Sequence, residues 1–389
     1  MPAAGGCRGS EPDLRAPGWP LRSRLASLGG SRWGQPWRRF VSQKLKVAIF
    51  GASGYTGAEA IRLMLGHPAI EIAALTGESK AGQPIDAVYP HLAGFGLPDL
   101  VRIDDVSLRG LDAAFLCLPH ATTQKVAARL RAAASDLRLI DLSADFRLRD
   151  VGAYESWYGE HCAPALQPNA VYGLTEHYRE DIRNALIIAC PGCYPTSILV
   201  PLLALQEAGM IDPSRIIADS KSGTSGAGRK GSEALSHSEV SEGFHAYGVA
   251  AHRHTAELDQ ELSARAGRAV RATFTPHLVP MNRGILSTIY GDLADGVGIA
   301  QAQAVLDDFA AREAFVHRAA APAAVTTRAV RGTNRVLTDL VADRREGGFI
   351  LLSAIDNLTK GSSGQALQNF NLAFGLEEQT GLHLVTAFP

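Results

Sequence analysis

Cysteine is scarce in this sequence, since 389 residues contain five, with a single Cys-x-x-Cys pair. A small number of cysteines, odd in count, argues against the disulfide framework of a secreted protein, so we expect reduced thiols and a cytoplasmic location. Long apolar runs are also lacking, because Gly, Pro or a charged residue interrupts each stretch before the roughly 20 residues that a membrane-spanning helix needs. We therefore expect no membrane partner.

A surplus of charge of either sign is lacking as well. The chain carries 38 Lys and Arg against 39 Asp and Glu, which gives a formal net charge of -1. This balance offers no electrostatic reason to expect a nucleic-acid partner. The length exceeds the about 250–300 residues at which a single hydrophobic core stops growing, so the sequence predicts two folded domains.

The first 43 residues have few acids and no apolar periodicity; Glu11 and Asp13 are their only carboxylates. Arg, Gly, Pro, Ser and Trp dominate instead. We predict that 1–43 is a disordered extension, or that translation starts further along the chain. The alternative is an Arg-rich, acid-poor transit peptide, which would direct the protein to an organelle.

From Lys46 onward, short apolar runs alternate with helix-like segments, a pattern typical of a parallel sheet with crossover helices. The sequence therefore predicts an α/β fold that begins with a Rossmann-type doubly wound parallel sheet over residues 44–192. The five predicted strands are 46–50, 70–75, 112–118, 137–142 and 186–189.

The pattern changes after a predicted helix at 195–208, because longer strands follow with fewer helices between them. This change predicts a second, α+β domain with a mainly antiparallel sheet over residues 193–357. We expect residues 358–389, with a helix at 364–376, to return to the first domain. The predicted strands of the second sheet are 215–219, 271–279, 284–290, 336–342 and 349–355.

A glycine-rich segment, GASGYTG at 51–57, follows the first predicted strand and opens a helix. Glycine permits the close approach of backbone to a pyrophosphate, and the helix N-terminus offers free N–H groups to the anion. We interpret the segment as a dinucleotide-binding loop; the alternative is an ordinary strand-to-helix turn. The candidate cofactor contacts in this loop are Gly51, Ser53, Gly54, Tyr55, Thr56 and Gly57.

The end of the second predicted strand favours NADP(H) over NAD(H). An NAD-binding strand typically ends in an acid that binds the ribose 2′-hydroxyl, whereas LTGESK at 75–80 has no acid at the strand tip. Hydroxyls and a cation suit a 2′-phosphate, with Thr76, Ser79 and Lys80 as candidate contacts. Glu78 is the observation against this prediction.

Cys193 is the candidate nucleophile. It ends the block CPGC, which lies between a predicted strand and a helix expected to begin at about Pro195, and a helix N-terminus favours thiolate over thiol. A redox disulfide with Cys190, half of a zinc site and buried structural cysteines are the alternatives. Because no second closely spaced ligand pair is present, we predict no metal.

Three further segments carry candidate substrate-binding groups. His252 and His254 flank an arginine at the start of a predicted helix, and imidazole suits proton transfer near neutral pH. The Gly/Ser-rich segment from Lys221 to 230 predicts a phosphate nest of backbone N–H groups and cations, or else a mobile linker. Arg147 and Arg149 follow the fourth predicted strand and are candidates for binding a carboxylate, unless they form a solvated charge pair.

From about Lys46 onward, these motifs together resemble the N-acetyl-γ-glutamyl-phosphate reductases of arginine biosynthesis, within the broader aspartate-semialdehyde dehydrogenase group. Two departures are the N-terminal extension and Ser197, where Gly or Ala is commoner. The blocks that carry the resemblance are GASGYTG, LIDLSADFRL, PGCYPT, KSGTSGAGRK, HRHTAEL, HLVPMNRGIL and DNLTKGSSGQALQN.

The resemblance implies that Cys193 accepts the acyl group as a thioester, that His252 is the acid/base and that His254 has a secondary role. NADPH would then reduce N-acetyl-γ-glutamyl phosphate to N-acetylglutamate 5-semialdehyde and phosphate, in a homodimer or homotetramer. The resemblance also implies that 193–357 is the catalytic and dimerisation domain, whose sheet makes the oligomer contact. The expected substrate contacts are Arg147, Arg149, Lys221 and His254. Further expected cofactor contacts are Pro119, Ser143, Gly223, Ser225, Gly226 and Asn369.

Two other functions fit the same features. One is a related acyl-phosphate reductase, acting on aspartyl phosphate or on a carrier-linked aminoadipyl phosphate. The other is a non-catalytic NADPH sensor, which the presence of both the nucleophile and the histidines disfavours.

Overall fold

The computed structural model describes residues 44–387, apart from 230 and 232. Two seven-stranded sheets organise this part of the chain. The predicted N-terminal extension at 1–43 lies outside the described residues. Among the described helices, none combines the length and the apolar character that crossing a membrane requires.

The first sheet has the strand order β3-β2-β1-β4-β5-β7-β6, and its described strand pairs are parallel. This is the doubly wound sheet that the sequence predicts. Its strands are β1 Leu45–Phe50, β2 Ile70–Thr76, β3 Leu100–Val101, β4 Ala113–Leu116, β5 Arg138–Asp141, β6 Ala170–Tyr172 and β7 Ile187–Ala189. The sequence did not predict β3 and β6, which are too short to show a pattern.

Both faces of this sheet are buried, which explains why its strands are apolar throughout. Along β1, Val47 and Ile49 enter one hydrophobic cluster, whereas Ala48 and Phe50 enter another on the opposite face. The helices that accompany the sheet are α1 Tyr55–Leu65, α2 Ile85–Val88, α3 Thr123–Ala133, α4 Val151–Tyr158 and α5 Thr175–Asn184. We call the first sheet and these helices the first domain.

The second sheet has the order β12-β13-β14-β11-β8-β10-β9. Four of its described strand pairs are antiparallel and two are parallel, so the predicted mainly antiparallel sheet is confirmed. Its strands are β8 Ile211–Ser222, β9 His245–Ala246, β10 Thr273–Leu278, β11 Ile285–Leu293, β12 Val316–Arg318, β13 Val336–Ala342 and β14 Gly348–Ile355.

Helices pack on this sheet and share one hydrophobic cluster with it. They are α6 Cys193–Glu207, α8 His254–Ala266 and α9 Ile299–Arg312, whereas the four-residue α7 His237–Val240 has no buried residue and lies outside this cluster. The second sheet with these helices forms the second domain. Within it, α6 is buried from Tyr194 to Gln206, so that its N-terminus is fixed by packing along the whole helix.

After β14 the chain makes a π-helical turn, Thr359–Ser363, and enters the last helix, α10 Gly364–Ala373. Ala366, Leu367 and Phe370 of α10 belong to the same hydrophobic cluster as Val47 and Phe115 of the first sheet. The ring centroids of Phe115 and Phe370 lie 5.8 Å apart. The end of the chain therefore packs in the core of the first domain.

Buried ion pairs join the two domains. Arg283, which precedes β11, donates to Glu59 of α1 at 2.8 Å and to Asp356 at the end of β14 at 2.9 Å. Lys360 in the π-helical turn is fully buried and donates to Glu176 of α5 at 2.6 Å. Since a buried charge without a partner is costly, these pairs hold the domains in one relative position.

Candidate active site

Cys193 lies where two adjoining cavities meet. A cavity of about 830 Å³ is lined by the glycine-rich loop, and we call it the loop-side cavity. A second cavity, of about 480 Å³, is lined by His252 and Tyr247, and we call it the histidine-side cavity. The residues that border both are His120, Cys193, Gly226, Ala227 and His254.

The backbone fixes Cys193 from two sides. The residue begins α6, two positions earlier than the predicted start at Pro195, and Gly192 caps the helix. Gly361 of the π-helical turn packs against it so closely that a Cβ on Gly361 would lie 2.8 Å from Cys193 Cβ. Neither glycine leaves room for a side chain, so the thiol sits in a rigid frame.

Burial dominates the ionisation of the Cys193 thiol and raises its pKa to about 11. The nearby Arg147 guanidinium and the backbone N–H groups of Tyr194 and Cys193 oppose this rise. The expected effect of the helix N-terminus is therefore present, but desolvation outweighs it. The sequence did not predict this desolvation, and the thiol needs a base to react near neutral pH.

Arg147 is buried beneath the nucleophile. Its Nε donates to Cys190 O at 2.7 Å, and its Nη atoms donate to Glu257 Oε1 at 3.1 Å and to Leu142 O at 3.1 Å. Glu257 Oε2 in turn accepts from Gly192 N at 2.9 Å. These bonds engage the Arg147 guanidinium on several sides, so it supports the cysteine loop and supplies positive charge nearby.

Arg149, the second arginine predicted to bind substrate, lies outside both cavities. Its guanidinium pairs with Glu261 at 2.9 Å and donates to the Tyr178 hydroxyl at 2.9 Å. This is the charge-pair alternative that the sequence left open. Lys221 is also paired, since its Nζ lies 3.0 Å from Asp219 Oδ1.

The two histidines occupy different positions. The His254 ring tip points at Gly192, where any Cβ would overlap it, and the ring borders both cavities. His252 packs among the rings of Tyr194, Tyr247 and Phe274, at centroid distances of 5.6, 5.4 and 5.4 Å. The sequence placed His252 first, whereas the structure places the His254 ring against Gly192, the residue before Cys193, and on the border of both cavities.

Both imidazoles are neutral near pH 7. Desolvation and the adjacent Arg253 lower the pKa of His252 to about 4. Burial, with the charges of His252 and Arg147, lowers the pKa of His254 well below its ordinary value. The His254 backbone N–H donates to His252 Nδ1 at 3.2 Å, which leaves the proton of the neutral His252 ring on Nε2.

The glycine-rich loop has the backbone geometry that its sequence predicts. Gly51 has φ of +87°, and a Cβ there would overlap the Cys117 carbonyl oxygen. A Cβ on Gly57 would lie 2.5 Å from Gly51 O. Thr76 Oγ1 accepts from Gly51 N at 3.0 Å, so Thr76 supports the loop from below. The loop residues that line the cavity are Gly51, Ser53, Gly54, Tyr55 and Thr56.

Glu78 does not face the loop-side cavity. Its carboxylate accepts from Ile103 N at 2.8 Å and pairs with Arg102 at 3.5 Å. Ser79 and Lys80 line the cavity instead, together with Arg229. The Glu78 carboxylate is thus held on the surface near β3, and it no longer counts against the binding of NADP(H).

The Gly/Ser-rich segment after β8 is held by a neighbouring loop. Gly223 N, Thr224 N and Ser225 N donate to carbonyl oxygens of Gly284, Met281 and Asn282, at 2.9 to 3.1 Å. These N–H groups are therefore not available to an anion, and the predicted backbone nest is wrong at these positions. Gly226 nevertheless borders both cavities, Ser225 lines the loop-side cavity and Gly223 the histidine-side cavity.

The remaining predicted cofactor contacts divide into two groups. Pro119 lines the loop-side cavity. Ser143 and Asn369 are buried and are not among the described lining residues; Asn369 donates to Gly173 O at 2.8 Å and accepts from Thr175 at 2.7 Å. Sequence reasoning missed His120 and Tyr158. It noted Arg253 between the two chosen histidines but gave this residue no role of its own.

Comparison with known proteins identifies the class of protein to which this fold belongs. Residues 46–185 match the family model described as semialdehyde dehydrogenase, NAD binding domain, and residues 193–357 match semialdehyde dehydrogenase, dimerisation domain. Aspartate semialdehyde dehydrogenase II from Vibrio cholerae, solved in complex with ASA, has the same fold, with a TM-score of 0.65 at 18% identity over 86% of this chain and 99% of that one. The Candida albicans enzyme with NADP gives a TM-score of 0.63 at 15% identity, over 85% and 98%.

Curated relatives with higher sequence identity identify one family within this class. A Jannaschia protein named N-acetyl-gamma-glutamyl-phosphate reductase is 53% identical over 88% of this chain and 99% of its own length. The Rhodospirillum rubrum protein of that name is 50% identical over 90% and 100%. An Oryza sativa protein with a probable assignment, named chloroplastic, is 47% identical over 89% and 83%. The chain belongs to the N-acetyl-γ-glutamyl-phosphate reductase family, as its motifs predicted.

Proposed function

We propose that this chain reduces N-acetyl-γ-glutamyl phosphate to N-acetylglutamate 5-semialdehyde and inorganic phosphate, with NADPH as the reductant, in arginine biosynthesis. The observation that carries the proposal is the position of Cys193, which borders both the loop-side cavity and the histidine-side cavity. A nucleophile in this position can hold an acyl group within reach of a cofactor that enters from the loop side.

The loop-side cavity fits NADP(H). The Gly51–Gly57 contact brings the start of α1 close to β1, where the first N–H groups of the helix are free to bind a pyrophosphate. Ser79, Lys80 and Arg229 supply hydroxyl and positive groups in the same cavity, which suits the 2′-phosphate of NADP. When bound, the cofactor supplies the hydride that reduces the acyl carbon.

The proposed chemistry has two stages. Cys193 Sγ forms a bond to the γ-acyl carbon, the bond from that carbon to the phosphate oxygen breaks, and inorganic phosphate leaves. Addition of a hydride to the resulting thioester would give a thiohemiacetal oxyanion. Its carbon–sulfur bond then breaks to release the aldehyde and the Cys193 thiolate, which regains its proton. Arg147 stabilises the sulfur anion in both stages because its charge lies near the sulfur.

A neutral histidine must accept the thiol proton in the first stage and return a proton when the thiohemiacetal collapses. The contact between the His254 ring and Gly192 supports His254 in this role, with His252 behind it. A phosphoryl group bound in the cleft adds negative charge beside these rings and raises their pKa toward neutrality. Substrate binding would thus activate the base.

The first test removes the sulfur. We expect Cys193→Ser to bind NADPH normally, as measured by cofactor fluorescence, and to lose turnover by at least about 1000-fold, because a neutral serine hydroxyl is a far weaker nucleophile. Cys162→Ser, at an exposed cysteine outside both cavities, is the matched control. Substantial activity in Cys193→Ser, or no adduct on Cys193 when the acyl phosphate is added without NADPH, would contradict the mechanism.

A second test compares the two histidines. We expect His254→Asn to lower kcat by about 100-fold or more, the usual contribution of general acid–base catalysis, and His252→Asn to lower it by less than about tenfold. Steady-state kinetics of both variants measure the difference. A larger loss in His252→Asn would reverse the assignment and restore the order that the sequence favoured.

We infer a homodimer or homotetramer assembled through the second sheet, because residues 193–357 match a dimerisation domain. Light scattering on the purified full-length chain measures the mass. We also infer a cytoplasmic location from the cysteine content, with an organelle as the alternative if residues 1–43 act as a transit peptide. N-terminal sequencing of the native protein distinguishes these locations.

A further inference from the structure

We propose that Arg253, Tyr158 and His120 form an oxyanion subsite in the histidine-side cavity, which binds either the phosphoryl group or the α-carboxylate of the substrate. The proposal rests on the acyl-phosphate reductase function proposed above and identifies the groups that recognise that substrate. All three residues line the histidine-side cavity beside Cys193.

Arg253 provides the charge of this subsite. It directly precedes α8 and is exposed, and its guanidinium carbon lies 5.3 Å from the centroid of the Tyr158 ring. Within the described part of the chain, no carboxylate pairs with Arg253. In contrast, Arg147 is paired with Glu257 and Lys221 with Asp219. Among the described residues that line the histidine-side cavity, Arg253 is the only Arg or Lys, so its charge is available to an anion that enters there.

His120 adds a neutral donor. Its Nδ1 accepts from Ala144 N at 3.0 Å, so the proton of the neutral ring lies on Nε2. Desolvation and the charges of Arg147 and Arg253 lower the pKa of His120 to about 4, which keeps this tautomer neutral near pH 7. Because His120 borders both cavities, its Nε2–H is a donor at the point where they meet.

Tyr158 connects the other two groups. Its ring meets the His120 ring edge-on at 5.7 Å and stacks on Tyr154 at 5.0 Å and 15°. The Tyr154 hydroxyl donates to Asp145 Oδ1 at 3.0 Å, which anchors the stack in the first domain. The Arg253–Tyr158 contact therefore joins the second domain to the first across the opening of the cleft.

The charge of the cavity wall favours an anion. Among the described residues that line the histidine-side cavity, none is Asp or Glu. A guanidinium with neutral donors beside it forms charge-assisted hydrogen bonds with an oxyanion. The proposed substrate carries an oxyanion at each end, a phosphoryl group on the reacting carbon and a carboxylate at the far end, and either would match this wall.

The experiment uses the reaction in the oxidative direction, in which phosphate and the semialdehyde are separate substrates with separate KM values. We expect Arg253→Gln to raise the KM of one of these two substrates at least tenfold, while kcat stays within about threefold of the wild type. The KM of Arg253→Lys for the same substrate should lie between the values of Arg253→Gln and the wild type. Tyr158→Phe should raise the same KM. Arg271→Gln, at an exposed arginine of the second domain, is the matched control.

An increase confined to phosphate assigns the subsite to the phosphoryl group, and an increase confined to the semialdehyde assigns it to the α-carboxylate. Unchanged KM values in Arg253→Gln, or a fall in kcat alone, would overturn the subsite while leaving the reductase function intact.

Alkylation of Cys193 by iodoacetamide gives a second readout that needs no turnover. Phosphate or N-acetylglutamate should protect the wild type and protect Arg253→Gln at least tenfold less well. An inactive wild type that still shows this protection would overturn the proposed function and support the subsite. Equal protection of the two proteins by both probes would overturn the subsite.

Discussion

At the Cys193 thiol, burial and positive charge act in opposite directions, and burial prevails. Because its pKa is raised to about 11, only a small fraction is thiolate in the free protein near neutral pH. As the proposed nucleophile, Cys193 would therefore stay unreactive until substrate and base are in place. This arrangement would protect the thiol from oxidation between turnovers, since reactivity follows the thiolate.

A pH profile tests this directly. We expect the rate of Cys193 alkylation by iodoacetamide to rise about tenfold per pH unit from pH 7 to pH 10, because the thiolate fraction grows in that proportion below the pKa. Mass spectrometry of the Cys193 peptide measures the rate, and the Cys162 peptide of the same digest reports on the reagent. A plateau below pH 8 would show a thiolate already formed.

At the level of single residues, the sequence predicted where candidate site residues lie in the fold better than it predicted their pKa values. The placement of Cys193 and of the 51–57 loop followed from strand-to-helix transitions, which are local features. The pKa of the thiol depends on its burial at the start of α6 and on Arg147, which follows a different strand. Such long-range contacts leave no mark on the sequence near Cys193.

Among the elements, the π-helical turn after β14 packs directly against Cys193, the proposed nucleophile. A Cβ on Gly361 would lie 2.8 Å from Cys193 Cβ and 3.2 Å from its Cα. We expect Gly361→Ala to displace the thiol and lower kcat by at least about tenfold, since small misplacements of reacting groups are costly. The KM for NADPH should change much less. Steady-state kinetics with each substrate varied measure both quantities.

Gly298→Ala is the matched control for this prediction, because a Cβ at Gly298 would meet only Gln301 Oε1, at 3.6 Å. Circular dichroism should show that both variants are folded. If Gly361→Ala turned over normally, the contact with Cys193 would have no catalytic importance.

Strands could be predicted from the sequence where the apolar pattern extended over enough residues. β1, β2 and the long strands of the second sheet were found, whereas β3 and β6, of two and three residues, were not. The helix start at Cys193 was placed two residues late because Pro195 suits a first turn. The structure uses Gly192 as the cap instead.

For the whole molecule, the ion network around Arg283 couples domain position to stability. Burial would raise the pKa of Glu59, but hydrogen bonds from Arg62 and Arg283 lower it to about 2 from an ordinary value of 4.5. A carboxyl whose pKa is lower in the folded state stabilises that state above about pH 4.5. This contribution is lost as the pH falls from 4.5 toward 2.

We expect Arg283→Met to lower the free energy of unfolding by about 3–5 kcal/mol at pH 7, because Glu59 and Asp356 stay buried without that partner. Denaturant unfolding measures the loss. Between pH 4.5 and pH 3, the free energy of unfolding of Arg283→Met should fall by less than that of the wild type, because Glu59 is less strongly paired in the variant.

The double variant Glu59→Gln with Arg283→Met should lose less than the sum of the two single variants, because the residues share one network. Arg271→Met, whose side chain is 90% exposed, should change stability by less than about 0.5 kcal/mol. Additive losses in the double variant would show that the network does not act as a unit.

The position of α10 in the first core has a consequence for how this protein can be divided. The chain leaves the first domain at Cys193 and comes back at Gly361, and these two residues touch. The second domain is thus an insert whose two junctions meet at Cys193. Exchanging that insert between related enzymes would require both junctions to match within the same few ångströms. In hybrid proteins, a poor fit at the junctions should therefore appear first as a loss of catalytic activity.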